Sequence, residues 1–346
     1  MESAGGEARP VMLPPVQELA GQLGAADDVP ARYIARTGAG NDDRKATVTA
    51  PVPTIDLARL CQPGGDGEAS EAPAGALADT LQSWGLFLVT NHGMEASLMD
   101  AMMDASREFF RQPLQEKQKH SNMIDGKHFQ LEGYRNDWVP SEKQVLHWTD
   151  LWPTCLRDVL NDFTTKCTRV KDCLLPEMAK LLELDDDYFI DQFGGKADAY
   201  ARFSYYPPCT RPDLALGLKP HSDCSFVTLL MVDNSVGGLQ VLQDGVWYDV
   251  PTRPHTLLIN LGDQIEIMSN GIFKGPVHRV VTNAEKERLS VALFYSIDPE
   301  REIWPADKLI DENHPALYKK VKIKEYIAGL YEHVARGEMV IETAKI

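Results

Sequence analysis

At 346 residues with 43% hydrophobic content, the chain is long enough for a substantial core, either as one large enzyme domain or as two average ones. Its formal net charge of -16 argues against nucleic acid and against an anionic membrane surface as partners, and it shows neither a membrane-length apolar run nor a charged-then-apolar leader. The six cysteines, Cys61, Cys155, Cys167, Cys173, Cys209 and Cys224, have no CxxC spacing, which disfavours structural zinc and reads as reduced thiols in a cytoplasmic protein.

Residues 1–50 read as a partly flexible N-terminal extension, with a short helix over Val16–Leu23 and a loop over Thr37–Lys45. Pro51–Leu57 reads as a first strand. Gln62–Gly75, rich in Gly, Glu, Ala and Pro, reads as a mobile linker. Ala76–Trp84 is predicted helical and Leu86–Thr90 a buried strand. Met94–Phe110 places Leu98, Met102, Ala105, Phe109 and Phe110 at helical spacing, and Pro113 ends that helix. Leu156–Leu182 repeats the pattern through Leu160, Phe163, Val170, Leu174 and Met178, predicting a long helix that buttresses a sheet.

From Tyr200 onward, short β-prone runs alternate with turn signals at Gly237-Gly238, Asp244-Gly245, Gly262-Asp263 and Asn270-Gly271. That punctuation indicates a β-sandwich or barrel. Val321–Ala335, with Ile323, Tyr326, Ile327, Leu330 and Val334 on one face, reads as a closing helix. No internal repeat is visible.

Within the β-rich part, His221 and Asp223 are two residues apart, and His278 opens a second β-branched run. Residues i and i+2 of a strand share a face, so His221 and Asp223 are expected to face one cavity, with His278 arriving from another strand. Two imidazoles and a carboxylate form the facial triad of non-haem Fe(II) oxygenases, which leaves other metal positions open. Arg288 and Ser290 again share a strand face. A guanidinium fork beside a hydroxyl suits a carboxylate, so iron at one end and a carboxylate clamp at the other point to a dicarboxylic 2-oxo acid. An isolated H-x-D is a weak signal; the five residues together are a specific one.

The order H-x-D, His, R-x-S resembles the plant 2-oxoglutarate/Fe(II)-dependent dioxygenases of specialised and hormone metabolism. Tyr205-Tyr206-Pro207-Pro208-Cys209, Trp84 to Gly93, Asn260-Leu261-Gly262-Asp263 and Asn270 to Val280 carry the same likeness, from about Pro53 to the C-terminus. The segments Ile124 to Gln130 and Thr282 to Arg288 look closest to cereal enzymes that hydroxylate triketone herbicides. The resemblance implies a mainly β fold with flanking helices, a double-stranded β-helix (jelly roll) packed by helices. It divides the chain into a helix-rich region at 51–195, a jelly-roll core at 196–300 and a C-terminal helical segment at 301–346. It implies Fe(II) on His221, Asp223 and His278, and 2-oxoglutarate on Arg288, Ser290 and Tyr206. Dioxygen is the co-oxidant, and ascorbate is expected to stimulate. The implied reaction oxidises a small plant metabolite or xenobiotic, most simply by hydroxylation, as 2-oxoglutarate is decarboxylated to succinate and carbon dioxide. A cytoplasmic monomer with no nucleic-acid or membrane partner is expected.

Two departures stand out. Ser204 occupies the place where the family usually has Asn, two residues before the tyrosine. The family also usually continues from Trp148-Thr149-Asp150 through a further strand and an acidic loop, whereas this chain passes directly to Leu151-Trp152-Pro153. Buried backbone groups left unpaired by a lost strand cost about 1–3 kcal/mol each. Either the sheet is repaired locally, or the chain is a catalytically impaired small-molecule binder on the same fold. A zinc hydrolase using the same ligands ranks last, because it has no use for Arg288 and Ser290.

Blander roles are expected elsewhere. His92 caps a turn, His255 and Arg279 are structural, and the remaining histidines are surface or packing residues. Cys224, Phe226 and Phe294 line the pocket or fill the core, and by the resemblance Phe129 and Tyr134 reach its mouth.

Overall fold

The computed structural model describes residues 14–24, 27–35, 48–61, 68–121, 123–124, 128–129, 133–134, 150–152, 157–194, 198–233, 236–336 and 338–346. Its helices are α1 (Val16–Gln22), α2 (Leu57–Leu60), α3 (Glu68–Ser83), α4 (Ala96–Arg111), α5 (Leu114–Gln118), α6 (Arg157–Leu181), α7 (Tyr188–Gln192), α8 (Asp263–Met268) and α9 (Ile323–Arg336). The first six strands are β1 (Thr54–Asp56), β2 (Leu86–Thr90), β3 (Met123–Ile124), β4 (His128–Phe129), β5 (Asp150–Trp152) and β6 (Asp198–Tyr206). Then follow β7 (Leu216–His221), β8 (Val227–Val232), β9 (Leu239–Gln243), β10 (Val246–Asp249), β11 (Leu257–Leu261), β12 (His278–Val281) and β13 (Arg288–Ser296).

Two sheets face each other. A seven-stranded sheet runs β1-β2-β11-β8-β13-β6-β5, and a four-stranded sheet runs β10-β9-β12-β7. From β6 to β13, successive strands pass between the two sheets, with β9 and β10 as a hairpin in the smaller one, so that strands distant in sequence become neighbours, the jelly-roll wiring expected. β1 and β2 extend the larger sheet, β2 pairing antiparallel with β11. Asp244 and Gly245, with φ of 50° and 77°, make the tight turn that returns β9 into β10.

The outer face of the large sheet is covered by helices. In α4, Met99, Met102, Met103, Ser106, Phe109 and Phe110 are buried, the recurrence of one helical face. Phe110 stacks on Tyr205 of β6 with ring centroids 4.9 Å apart. That aromatic contact adds roughly 0.5–1.5 kcal/mol to the area it buries. α4 stops at Arg111 because Gln112, preceding Pro113, is extended. Alternation along β6 then turns Tyr205 to the helices and Tyr206 inward.

Several expectations change. The Gln62–Gly75 linker is helical from Glu68, because the Glu and Ala that gave it a linker-like composition are strong helix formers. Cys61 and Cys173 form a disulfide with Cα atoms 5.9 Å apart, which corrects the reading of these two as reduced thiols. They lie 112 residues apart in sequence, so tertiary packing alone brings them together. Cys167, Cys209 and Cys224 are free and buried, and burial pushes the Cys167 thiol pKa up. Tyr134 is fully buried, 5.7 Å from the Phe109 ring, and belongs to the core beneath the helices. At the edge of the large sheet, β5 pairs antiparallel with Phe203–Tyr205 of β6 over three residues. Thr37–Lys45, Cys155 and the Phe129 side chain lie outside the described residues.

Candidate metal and carboxylate site

β7 ends at His221, and its pairing with β12 sets His221 opposite His278. The imidazole centroids are 4.3 Å apart. Asp223 lies beyond the end of β7, so a shared strand face does not place it. The loop after β7 turns it inward, held from behind. The Gly262 N–H donates to the Phe226 carbonyl at 3.0 Å and the Asp263 N–H to the Asp223 carbonyl at 2.7 Å. A Cβ on residue 262 would stand 2.0 Å from the Ser225 carbonyl oxygen, an approach that glycine alone permits.

The three side chains converge. His221 Nε2 and His278 Nε2 lie 3.6 and 3.7 Å from Asp223 Oδ1. Among the described residues this is one cluster able to hold a metal ion, with its ligand atoms within 4.8 Å of one another. The far side of each ring meets a backbone carbonyl, His221 Nδ1 to Lys219 at 2.7 Å and His278 Nδ1 to Pro276 at 3.0 Å. A carbonyl only accepts, so Nδ1 carries the proton and each Nε2 lone pair is left for a metal. Asp223 Oδ2 accepts from Thr228 Oγ1 at 2.6 Å and from Asn260 Nδ2 at 2.7 Å, which frees Oδ1. Burial opposes ionisation of Asp223, yet positive charge at the imidazole side of the cluster, from a proton on Nε2, together with these two donors outweighs it and holds its pKa below the usual value; a divalent cation bound there takes the place of that positive charge. A neutral-imidazole, ionised-carboxylate set fits a divalent cation.

Cavity-facing residues of β13 and β6 form rungs, Arg288 opposite Tyr206 and Ser290 opposite Ser204. Arg288 is only 2% exposed. Its Nη1 donates to Ser290 Oγ at 3.3 Å, the guanidinium lies 5.0 Å from the Tyr206 ring centroid, and Nε has no partner. Burial lowers the Arg288 pKa against the opposing pull of Tyr206. A buried cation with an orphaned donor fits a bound carboxylate.

Both groups open into one cavity of about 460 Å³, lined by His221, Asp223, His278, Arg288, Ser290 and Tyr206 and, on its apolar walls, by Leu86, Leu218, Leu230, Val250, Leu258 and Phe294. Cys224 and Phe294 are wall residues. Phe226 is core, fully buried against Phe189 and Phe193 at 5.3 Å each. Ser204 and Arg202 also line the cavity. Sequence reasoning missed Thr228 and Asn260 as supports of Asp223. The signal was there: each is a buried polar residue inside an otherwise apolar strand, a position that needs a partner. His92 Nδ1 accepts from the Met94 N–H at 3.2 Å, capping its turn. His255 binds Asp100 at 3.0 Å. Arg279 donates to Gln240 at 2.8 Å and lies 3.9 Å above Trp247.

A family model described as the 2OG-Fe(II) oxygenase superfamily matches residues 197–297, and one described as the N-terminal region of non-haem dioxygenase in morphine synthesis matches residues 52–159. Protein SRG1 of Arabidopsis thaliana is 32% identical, covering 97% of this chain and 97% of its own length. Oxoglutarate-dependent flavonoid 7-O-demethylase 1 of Ocimum basilicum is 34% identical, covering 98% of this chain and 92% of its own. The crystal structure of JOX2 in complex with 2OG, Fe and JA superposes with a TM-score of 0.83 at 30% identity, over 98% of this chain and 99% of that one. With a jelly roll, a His-Asp-His cluster and relatives that align along nearly its whole length, the chain belongs to the 2OG-Fe(II) oxygenase superfamily.

Proposed function

We propose that this chain oxidises a small, mostly apolar plant metabolite or xenobiotic, most simply by hydroxylation, coupled to decarboxylation of 2-oxoglutarate to succinate and carbon dioxide. The observation that carries the reading is the sharing of one cavity by the His221–Asp223–His278 cluster and the buried Arg288 clamp, with apolar walls beyond them. His221, Asp223 and His278 are the ligands for Fe(II), which when bound supplies the one-electron and dioxygen chemistry that side chains lack. Nδ1 of each imidazole is held by a backbone carbonyl, so neither ring has to reorient on metal uptake.

Arg288, Ser290 and Tyr206 hold the distal carboxylate of 2-oxoglutarate, with the fork of Arg288 fixing its direction. The apolar walls orient substrate and exclude water. The basil relative is named a flavonoid 7-O-demethylase and the JOX2 complex contains JA, so overall likeness supports a small-molecule oxidation without selecting the molecule. We take the chain as a monomer in the cytoplasm acting on a diffusible substrate; its negative charge argues against an anionic membrane surface as a partner, and no helix among its described residues is long and apolar enough to cross a membrane. Ascorbate is read as a stimulant.

The test is a substrate screen with Fe(II), ascorbate, 2-oxoglutarate and dioxygen, following succinate and the oxygenated product by mass spectrometry. One succinate per product, lost in His221→Ala, is expected. Product formed without 2-oxoglutarate, or full activity in His221→Ala, would overturn the assignment.

A further inference from the structure

α8 lies directly behind the two loops that carry the ligands. On one side, the Gly262, Asp263 and Gln264 N–H groups donate to the carbonyls of Phe226, Asp223 and Ser225, at 3.0, 2.7 and 3.2 Å. Gln264 Nε2 donates to the Cys224 carbonyl at 2.8 Å. Four consecutive carbonyls of the Asp223 loop are thereby held. On the other side, Glu266 Oε2 accepts from the Gly275 N–H at 2.6 Å, three residues before His278.

The two acids of α8 are held in turn from the C-terminal segment. Tyr326, on α9, donates to Asp263 Oδ2 at 2.7 Å. Tyr318, just before α9, donates to Glu266 Oε1 at 2.7 Å. Asp263 is 0% exposed, Glu266 9%, Tyr318 4% and Tyr326 6%, so neither hydroxyl is readily replaced by water. Each acid also reaches one ligand arm, Asp263 through its own N–H on the Asp223 carbonyl and Glu266 through Gly275. Satisfying buried polar groups accounts for the two tyrosine–acid bonds. It does not account for their connection to one ligand arm each.

We propose that the C-terminal segment positions the metal ligands through two latches. Tyr326–Asp263 fixes the His221–Asp223 loop, and Tyr318–Glu266 fixes the approach to His278. Both tyrosines are positioning residues, since neither lines the metal cluster. The inference rests on the metal reading above, because it assigns these side chains to the preorganisation of that centre.

The test uses the full chain without iron, titrated anaerobically with Co(II) against a chelating dye, with thermal midpoints recorded in parallel. Tyr326→Phe and Tyr318→Phe remove one hydroxyl each, and each is expected to weaken Co(II) binding about tenfold, the effect of leaving one buried carboxyl oxygen without its hydrogen bond. Changes in the Co(II) ligand-field bands are expected to accompany the loss. The control is Tyr295→Phe, which removes a buried hydroxyl bonded to Thr168 at 3.0 Å on the helix side of the sheet; it is expected to lower the midpoint while leaving affinity and bands unchanged. If one Phe variant folds poorly the other still decides, because the two latches act on different ligand arms and either loss alone is expected to weaken Co(II) binding. Wild-type affinity and bands in both Phe variants, whatever their midpoints, would overturn the inference. Failure of the wild-type chain to take up Co(II) at all would instead overturn the metal reading.

Discussion

Arg288 carries a prediction that separates its role in binding from a role in stability. Its guanidinium is 2% exposed and its neighbours are the Ser290 hydroxyl at 3.3 Å and Tyr206, while the buried carboxylate that also acts on it, Asp233, is already paired with Arg107 at 2.7 Å, so in the ligand-free protein it is a buried cation whose charge is only partly compensated. Desolvating such a group costs several kcal/mol, and replacing buried charge by a well-packed apolar side chain is often neutral or stabilising by about 1–4 kcal/mol. Arg288→Met, of similar length, is therefore expected to leave the thermal midpoint of the ligand-free protein unchanged or raised. The same change removes two charge-assisted hydrogen bonds to the cosubstrate, at about 1.5–3 kcal/mol each, and so weakens 2-oxoglutarate binding by roughly 100-fold or more. Calorimetric titration with Fe(II) present and oxygen excluded reads the affinity, and melting with and without ligand reads the stability. Wild type should gain about 2.7 kcal/mol at a ligand concentration 100 times its dissociation constant, whereas the variant should gain almost nothing there. Arg288→Lys should fall between, because an ammonium lacks the fork. An Arg288→Met protein that is strongly destabilised without ligand but binds 2-oxoglutarate normally would refute the reasoning.

Three further outcomes are expected. Thr228→Val and Asn260→Leu each remove one donor from Asp223 Oδ2 and should weaken divalent-metal binding about tenfold; unaltered Co(II) titrations would contradict that. A non-reducing peptide map of the oxidised chain should recover Cys61 linked to Cys173; reduction should lower stability by up to about 4–5 kcal/mol, and an unchanged unfolding midpoint after reduction would count against it. Cys167, Cys209 and Cys224, whose thiol pKa values burial pushes up, should resist alkylation at neutral pH until denaturant is added, and prompt labelling of the native protein would show otherwise.

The parts of the site that follow local periodicity were legible in the sequence. Arg288 and Ser290 do share a strand face, and Tyr206 and Ser204 oppose them across β6 and β13. Period-two alternation carries that information. Asp223 was assigned to a strand for the same reason, but the strand stops at His221. Its direction comes from backbone bonds to Gly262–Gln264, some forty residues away in sequence, which no local pattern encodes. The disulfide and the burial of Tyr134 were illegible on the same grounds.

Composition misled at Glu68–Gly75, where a stretch counted as linker continues into α3. The direct passage Asp150-Leu151-Trp152-Pro153 carries the expectation of a lost family strand, with local repair as one of its outcomes. At that place β5 pairs with Phe203–Tyr205 of β6 over three residues. Asp263 and Glu266 are charged residues in a buried helix, and Asp263 is pushed up to about 7 chiefly by burial. Their tyrosine partners lie more than fifty residues downstream, beyond the reach of helical or strand spacing.

The most direct measurement is an anaerobic titration of the purified protein with Fe(II) and then 2-oxoglutarate, monitored in the visible region. A charge-transfer band that saturates at one 2-oxoglutarate per chain, and is lost in His221→Ala and in Asp223→Ala, is the result predicted by a centre built from His221, Asp223, His278 and Arg288. A folded protein that shows no band at any 2-oxoglutarate concentration would contradict it.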